Sequence, residues 1–356
     1  MKETARRIFR DTLASIDVQA AIERALGRQG PIVRIENAKI HLGEFRDIVA
    51  IAFGKAAFSM AQGLVQSIGP DYRPQGILTG PADPLHALEG WQYFAGGHPL
   101  PNAASFAAGR AILDRLARCD ERSLIFFLVS GGGSSLVELP LDPAVTLDEF
   151  RTLNSVLTGC GAPIEEINVI RKHLSATKGG RLTTAAPQSI KITLAISDVP
   201  EGQESALASG PTLPDPTTIF DAQRIVKRYG LEKKLPASLA NALRSETAIE
   251  TPEKDDPAFA RAYFSLVLRA HDLLHAAHRA CESEGFVSLC ESSTDNLPVD
   301  AASDQLLREI EFQKKLNPGK RVAVIADGEV SSPVTGSGVG GRNSAFGLAC
   351  VTTIAG

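Results

Sequence analysis

Hydrophobic positions recur along the chain with two periods. Between residues 2 and 27, Ile8, Leu13, Ile16, Ala20 and Leu26 return at near-helical spacing among charged residues, and Gly27 and Gly30-Pro31 end the run. That pattern predicts one amphipathic helix. Ile48-Val-Ala-Ile-Ala-Phe53 is instead continuously apolar and rich in β-branched residues, as in a parallel strand buried on both faces. It runs into Gly54-Lys55 and then Ala56, Ala57, Ser59 and Ala61, small enough for a helix lying close to a sheet. A second block repeats this design, with a helix over 103–117, the strand Leu124–Val129 and the segment Ser130-Gly-Gly-Gly-Ser-Ser135. A polar helix over 147–158, a basic segment over 168–182 and a strand over 192–196 ending at Ser197-Asp198 follow. Such alternation predicts a sheet with helices on both faces. Ligands in these sheets bind beyond the carboxyl ends of the strands, where Gly54-Lys55, Ser130–Ser135 and Ser197-Asp198 would all fall.

The polar stretch Glu250-Thr-Pro-Glu-Lys-Asp-Asp-Pro257 reads as an exposed linker. Beyond it the pattern predicts strands near 264–268, 286–289 and 322–326 and helices over 271–284 and 300–313. The expected fold class is α/β, with a three-layer Rossmann-like N-terminal domain over 1–250, a linker over 251–261 and a smaller α/β C-terminal domain over 262–356. A cleft is expected between the two domains.

Composition narrows the function classes. A length of 356 residues fits two domains, and 44% apolar with 22% charged residues is ordinary for a globular protein. The formal net charge of -4 argues against nucleic-acid binding as the main task. No apolar run approaches the roughly 20 residues of a membrane helix, and charges scattered through Met1–Asp11 are unlike a secretion signal. Cys119, Cys160, Cys281, Cys290 and Cys350 are an odd set without CxxC spacing, read as reduced, mostly buried thiols in a cytoplasmic protein.

Gly131-Gly132-Gly133, flanked by Ser130, Ser134 and Ser135, carries the strongest local signal: glycines after a buried strand can turn backbone N–H groups towards an anion. The segment is neither a Walker A loop nor a nucleophile elbow, and a tight turn without a ligand is the bland alternative. Asn168–Arg181 gathers Arg171, Lys172, His173, Lys178 and Arg181; if helical, it sets Asn168, Arg171, Ser175 and Lys178 on one face. That face suits either phosphoryl chemistry or plain solvation. Asp198, at a strand end, could hold Mg2+ or accept a proton from a hydroxyl, or simply cap a turn. Lys55 could reach a phosphate or carboxylate as a mobile point charge. His98, Thr212 and Asp215 sit in stiff proline-bearing loops as further polar candidates. Gly336, Gly338 and Gly341 match GxGxxG, but too few residues follow to supply the acidic ribose ligand; what survives is a turn delivering Arg342, with Asn343 opening a helix.

Taken together, Phe53-Gly-Lys-Ala56, Gly96-Gly-His-Pro-Leu-Pro101, Val129–Ser135, Ile167-Asn168, Arg171–Ser175 with Lys178–Arg181, Ser197-Asp-Val199, Ala208–Thr212 and Gly340-Gly-Arg-Asn343 resemble the bacterial and archaeal glycerate 2-kinases, in order and spacing over nearly the whole chain. The resemblance implies ATP- and Mg2+-dependent phosphorylation of D-glycerate at its 2-hydroxyl, giving 2-phosphoglycerate and ADP. It implies Lys55, Asp198 and Arg342 as catalytic, with Asp198 also the metal candidate. Ser130, Gly131, Gly132, Gly133, Ser134, Ser135 and Lys178 would bind the nucleotide, and His98, Asn168, Arg171, Thr212 and Asp215 the substrate. A homodimer is among the allowed oligomeric states, and no nucleic acid or membrane partner is expected. Two departures accompany the resemblance. The family commonly continues past the Gly-Gly-Arg-Asn turn, so a shortened C-terminal domain is expected; and Ser344-Ala345 and Asp327-Gly328-Glu329 stand where it commonly has Gln-Glu and Gly-Gly-Glu. The alternatives are a hydroxypyruvate or 2-hydroxyacid reductase, a label such proteins often carry, and a non-catalytic glycerate or phosphate-ester binding protein.

Overall fold

A computed structural model describes residues 2–82, 86–199, 202–244, 248–332 and 340–355. Val18–Leu268 form one compact unit, and the described residues of Met1–Asp17 and Arg269–Gly356 form another.

The larger unit opens with a helix over Val18–Leu26 and a hairpin of β1 (Ile32–Ile35) and β2 (Ala38–His41). Its centre is a six-stranded sheet of β3 (Asp47–Phe53), β4 (Gln75–Gly80), β5 (Trp91–Ala95), β6 (Ser123–Val129), β7 (Ile190–Ser197) and β8 (Ala262–Arg269). The spatial order is β5-β4-β3-β6-β7-β8, and the first five of these are parallel to their neighbours. Every residue of β6 is buried, which explains its unbroken apolar run. Ala50, Ala52, Leu124, Phe126 and Leu128 pack on one face against Met60, Ala61 and Leu64 of the helix Ala57–Ile68. Val49, Ile51, Ile125, Phe127 and Val129 pack on the other face against Ala108, Ile112 and Leu116 of the helix Ala103–Leu116. The expected three-layer α/β architecture is thus present. A third cluster, around Phe150, Leu153, Ile170 and Ile225, joins the helices Leu147–Thr158, Ile164–Leu174, Ile219–Arg228 and Ala237–Arg244.

The chain winds from β3 outward to β5 and then returns to place β6 on the other side of β3. The reversal makes the ends of β3 and β6 a topological switch point, the place where doubly wound sheets bind ligands.

The second unit holds a parallel pair, β9 (Phe286–Glu291) and β10 (Arg321–Ala326), with helices over Lys2–Ser15, Ala270–Ser283, Val299–Leu316 and Arg342–Ala355.

Three sequence expectations differ from this division. The N-terminal helix breaks between Ser15 and Val18, and its first half belongs with the C-terminal residues. There Arg7 forks onto both carboxylate oxygens of Glu284 at 2.5 Å. The segment Glu250–Pro257 is largely exposed as expected, with Glu250, Glu253, Lys254, Asp255 and Pro257 at the surface, but it lies within the larger unit and is anchored there: Thr251 is buried, and the Asp215 amide donates to the Pro252 carbonyl at 2.9 Å. Residues from Ala262 to Leu268, expected to open the C-terminal domain, instead extend the main sheet as β8. Of the five free cysteines only Cys281 is buried; the others are half-buried. Among the described residues no helix is long and apolar enough to cross a membrane.

Candidate active site at the strand ends

Three loops meet beyond the carboxyl ends of β3, β6 and β7. The Lys55 amide donates to the Gly131 carbonyl at 3.0 Å, the Ser130 amide to the Phe53 carbonyl at 3.1 Å, and the Ala56 amide to Ser130 Oγ at 3.1 Å. These bonds lock the Lys55 turn to the glycine loop and leave the Lys55 side chain exposed. Gly132 adopts φ 83°, the left-handed region that glycine enters without strain. An added β-carbon there would lie 3.0 Å from His98 Cδ2 and 3.4 Å from Lys55 Cε, so both side chains flank the loop. Burial, reinforced by the Lys55 charge, pushes the His98 imidazole below its ordinary pKa. Asp198 lies just past β7, exposed, with Oδ2 2.4 Å from the ideal β-carbon position of Gly131. Among the described residues the amides of Gly131, Gly132 and Ser134 have no protein acceptor.

Behind the loop runs a hydroxyl chain. Ser134 Oγ is 3.0 Å from Ser209 Oγ, and Ser209 Oγ donates to Asn168 Oδ1 at 3.1 Å. Asn168 and Ser209 are buried. Ala208, Ser209 and Gly210 have φ of 50°, 62° and 60°, a conformation that costs non-glycine residues energy and is kept where surrounding contacts enforce it. Those contacts are the Gly179 and Gly180 amides, donating to the Ser209 and Gly210 carbonyls at 3.1 and 2.7 Å.

The basic segment is not the continuous helix its spacing suggests. The helix ends at Leu174, Ser175 is extended, and Gly179 and Gly180 lie at φ 56° and 83°. Asn168, Arg171, Ser175 and Lys178 therefore do not share one helical face. Lys178, expected to bind nucleotide, is 1% exposed, its ammonium 2.5 Å from Glu138 Oε2 and 3.4 Å from the Val137 carbonyl. Ser175 Oγ donates to the other Glu138 oxygen. Burial draws the Lys178 pKa down while the Glu138 carboxylate opposes that pull. Asp215, 1% exposed, accepts from Lys172 Nζ at 3.2 Å and from Thr217 Oγ1 at 2.9 Å. Thr212 is buried, with its carbonyl accepting from Thr183 Oγ1 at 2.9 Å. Arg171 donates from Nε to Asn154 Oδ1 at 3.1 Å, and burial lowers the pKa of its guanidinium.

The structure thus brings together Lys55, His98, Ser130 to Ser135 and Asp198, with Asn168 one step behind. Lys178, Asp215 and Thr212 belong to the packed interior. Arg342 is exposed in the other unit, 2.7 Å from Glu329. Gly336 and Gly338 lie outside the described residues; Gly341 lies within them. Sequence reasoning missed Glu138, Asn154, Lys172 as a partner of Asp215, and Ser209. Only Ser209 left a trace, in the Ser-Gly-Pro turn. Among the described residues no three His, Cys, Asp or Glu side chains cluster as metal ligands.

Residues 4–244 match the family model described as a domain of unknown function (DUF4147). The chain is 30% identical over 315 residues to the D-glycerate 2-kinase of Thermotoga maritima, covering 87% of this chain and 72% of that protein. It is 34% identical over 369 residues to a "putative hydroxypyruvate reductase" of Agrobacterium vitis, covering 100% and 77%. The crystal structure of a Thermotoga maritima glycerate kinase superposes with a TM-score of 0.77 at 28% identity, covering 99% of this chain and 79% of that one. With the fold and these relatives in hand, the chain belongs to the DUF4147-containing glycerate kinase family.

Proposed function

We propose that the chain is a glycerate 2-kinase, transferring the terminal phosphoryl group of ATP to the 2-hydroxyl of D-glycerate. The observation that carries this reading is the meeting of Lys55, the glycine loop and Asp198 at the switch point between β3 and β6. The residues fit both groups the reaction needs. The amides of Gly131, Gly132 and Ser134 are free of protein acceptors among the described residues, and such amides cradle phosphates. A single carboxylate, Asp198, is enough for Mg2+, which shares its shell among one or two carboxylates, phosphate oxygens and water. ATP and Mg2+ would supply the transferable group and neutralise part of its charge.

The chain's own work is positioning and charge compensation. Lys55, long and exposed, is suited to the oxygens of the transferred group. Asp198 is suited to hold the metal or take the hydroxyl proton, and one carboxylate cannot do both in the same step. Arg171 is the cation of the basic segment we assign to the substrate carboxylate. Lys172 and Lys178 are already paired with Asp215 and Glu138, whereas among the described residues Arg171 hydrogen-bonds a neutral amide and Arg181 a backbone carbonyl; of these two, Arg171 lies on the same helix as Asn168. Its planar fork matches a carboxylate. A part for Arg342 rests on the resemblance alone and requires its release from Glu329.

The Agrobacterium relative's name supports a second reading, reduction of hydroxypyruvate. Two assays on the purified protein separate them: ADP release from Mg-ATP dependent on D-glycerate, and NADH or NADPH oxidation dependent on hydroxypyruvate. The kinase reading expects only the first, reduced at least a hundredfold in Lys55→Met; activity in the second alone would replace it.

A further inference from the structure

The hydroxyl chain behind the glycine loop has a direction, and the direction says what Ser134 can bind. Each serine carries one hydroxyl proton, while an amide oxygen has none to give. Asn168 Oδ1 is therefore the end of the chain, and the Ser209 proton is committed to it at 3.1 Å. At the 3.0 Å contact between the two serines, Ser134 must then be the donor. Its proton is then spent on Ser209, and its lone pairs are left to accept. A phosphate or carboxylate oxygen brought to that atom would meet lone pair with lone pair. A hydroxyl group would find an acceptor.

We infer that Ser134 Oγ is the specificity-determining acceptor for the 2-hydroxyl of a 2-hydroxy acid, oriented by Ser209 and Asn168 as positioning residues. The inference rests on the glycerate kinase reading and deepens it. The parts of the loop divide accordingly: its free amides serve anions, and the Ser134 side chain serves the alcohol. The same direction of bonding keeps Ser134 from acting as the base. A proton passed inward would have to end on Asn168, whose amide oxygen is a poor proton acceptor, so Ser134 orients the hydroxyl and deprotonation falls to another group. The enforced backbone of Ala208-Ser209-Gly210 has a purpose in this scheme, since it holds Ser209 between its two partners.

Isothermal titration calorimetry with three acids tests this: D-glycerate, D-lactate, which keeps the 2-hydroxyl and lacks the 3-hydroxyl, and 3-hydroxypropanoate, which lacks the 2-hydroxyl. In Ser134→Ala the Kd for D-glycerate and D-lactate should rise about threefold to tenfold, the loss of one neutral hydrogen bond, with 3-hydroxypropanoate unchanged. Ser134→Cys, close in volume but a weak acceptor, should behave alike, and Ser209→Ala should reproduce part of the loss. Equal weakening of all three acids, weakening of 3-hydroxypropanoate instead of D-lactate, or no change would overturn the assignment. If the unmodified protein binds none of the acids, the kinase reading falls as well; binding that Ser134→Ala leaves intact removes this assignment alone.

Discussion

Asp198 Oδ2 occupies the space that a side chain on Gly131 would need, 2.4 Å from where its β-carbon would stand. The contact joins the end of β7 to the loop after β6, and it makes glycine obligatory for the carboxylate's position rather than for the backbone. Gly131→Ala should therefore fold, with its Tm within a few degrees of the parent, because the end of a flexible side chain can move aside. Kinase turnover should fall about a hundredfold, the cost of misplacing a reacting group by an ångström or so. A melt and a steady-state assay on one preparation check both halves.

Lys178 and Glu138 form a buried pair with side chains each 2% exposed. Removing one partner from such a pair costs about 3–5 kcal/mol, because the other charge is left buried and unpaired. Urea denaturation of Lys178→Met should show a loss of that size. Adding Glu138→Leu to the same chain should recover part of it. A Lys178→Met protein of unchanged stability, with only its ATP affinity reduced, would return Lys178 to the nucleotide site.

His98 should titrate below 6.5, the ordinary value for histidine. Burial is the larger cause and the neighbouring Lys55 the smaller. In an NMR titration, Lys55→Met should therefore raise the His98 pKa only part of the way back. The shift favours the neutral ring, which can both donate and accept a hydrogen bond.

Lys191, fully buried, donates to the carbonyls of Ala186 at 2.8 Å and Pro187 at 3.4 Å. Burial, helped by Arg261, lowers its pKa from 10.5 to about 8. Above that value the folded chain has released a proton that the unfolded chain still holds, so this group's contribution to stability rises with pH between about 8 and 10.5. Thermal melts across that range should show the parent gaining on Lys191→Met, by up to about 1.4 kcal/mol per pH unit. A gap that narrows with rising pH would contradict the assignment.

The central strands are legible in the sequence because β3 and β6 are covered on both faces and must read as unbroken apolar runs. The switch-point loops are legible for a related reason: glycines directly after such strands have few other uses. Long-range pairing is not. Glu138 is 40 residues from Lys178, and Asp215 is 43 from Lys172. Nothing local marks which of the clustered cations face the interior. The helix stop at Leu174 is hidden as well, since Ser175–Lys178 keep helical spacing and leave it only because Ser175 and Ala176 bond to the segment around Leu139. The break at Ile16-Asp17 is concealed by an amphipathic pattern that runs through it.

Phosphorus-31 NMR of the protein with Mg-ATP and D-glycerate tests the central claim most directly, because it reports transfer and its position together. The account predicts a growing 2-phosphoglycerate resonance matched by ADP, absent in Lys55→Met. A 3-phosphoglycerate resonance, or a folded protein that leaves ATP and D-glycerate unchanged, would contradict it.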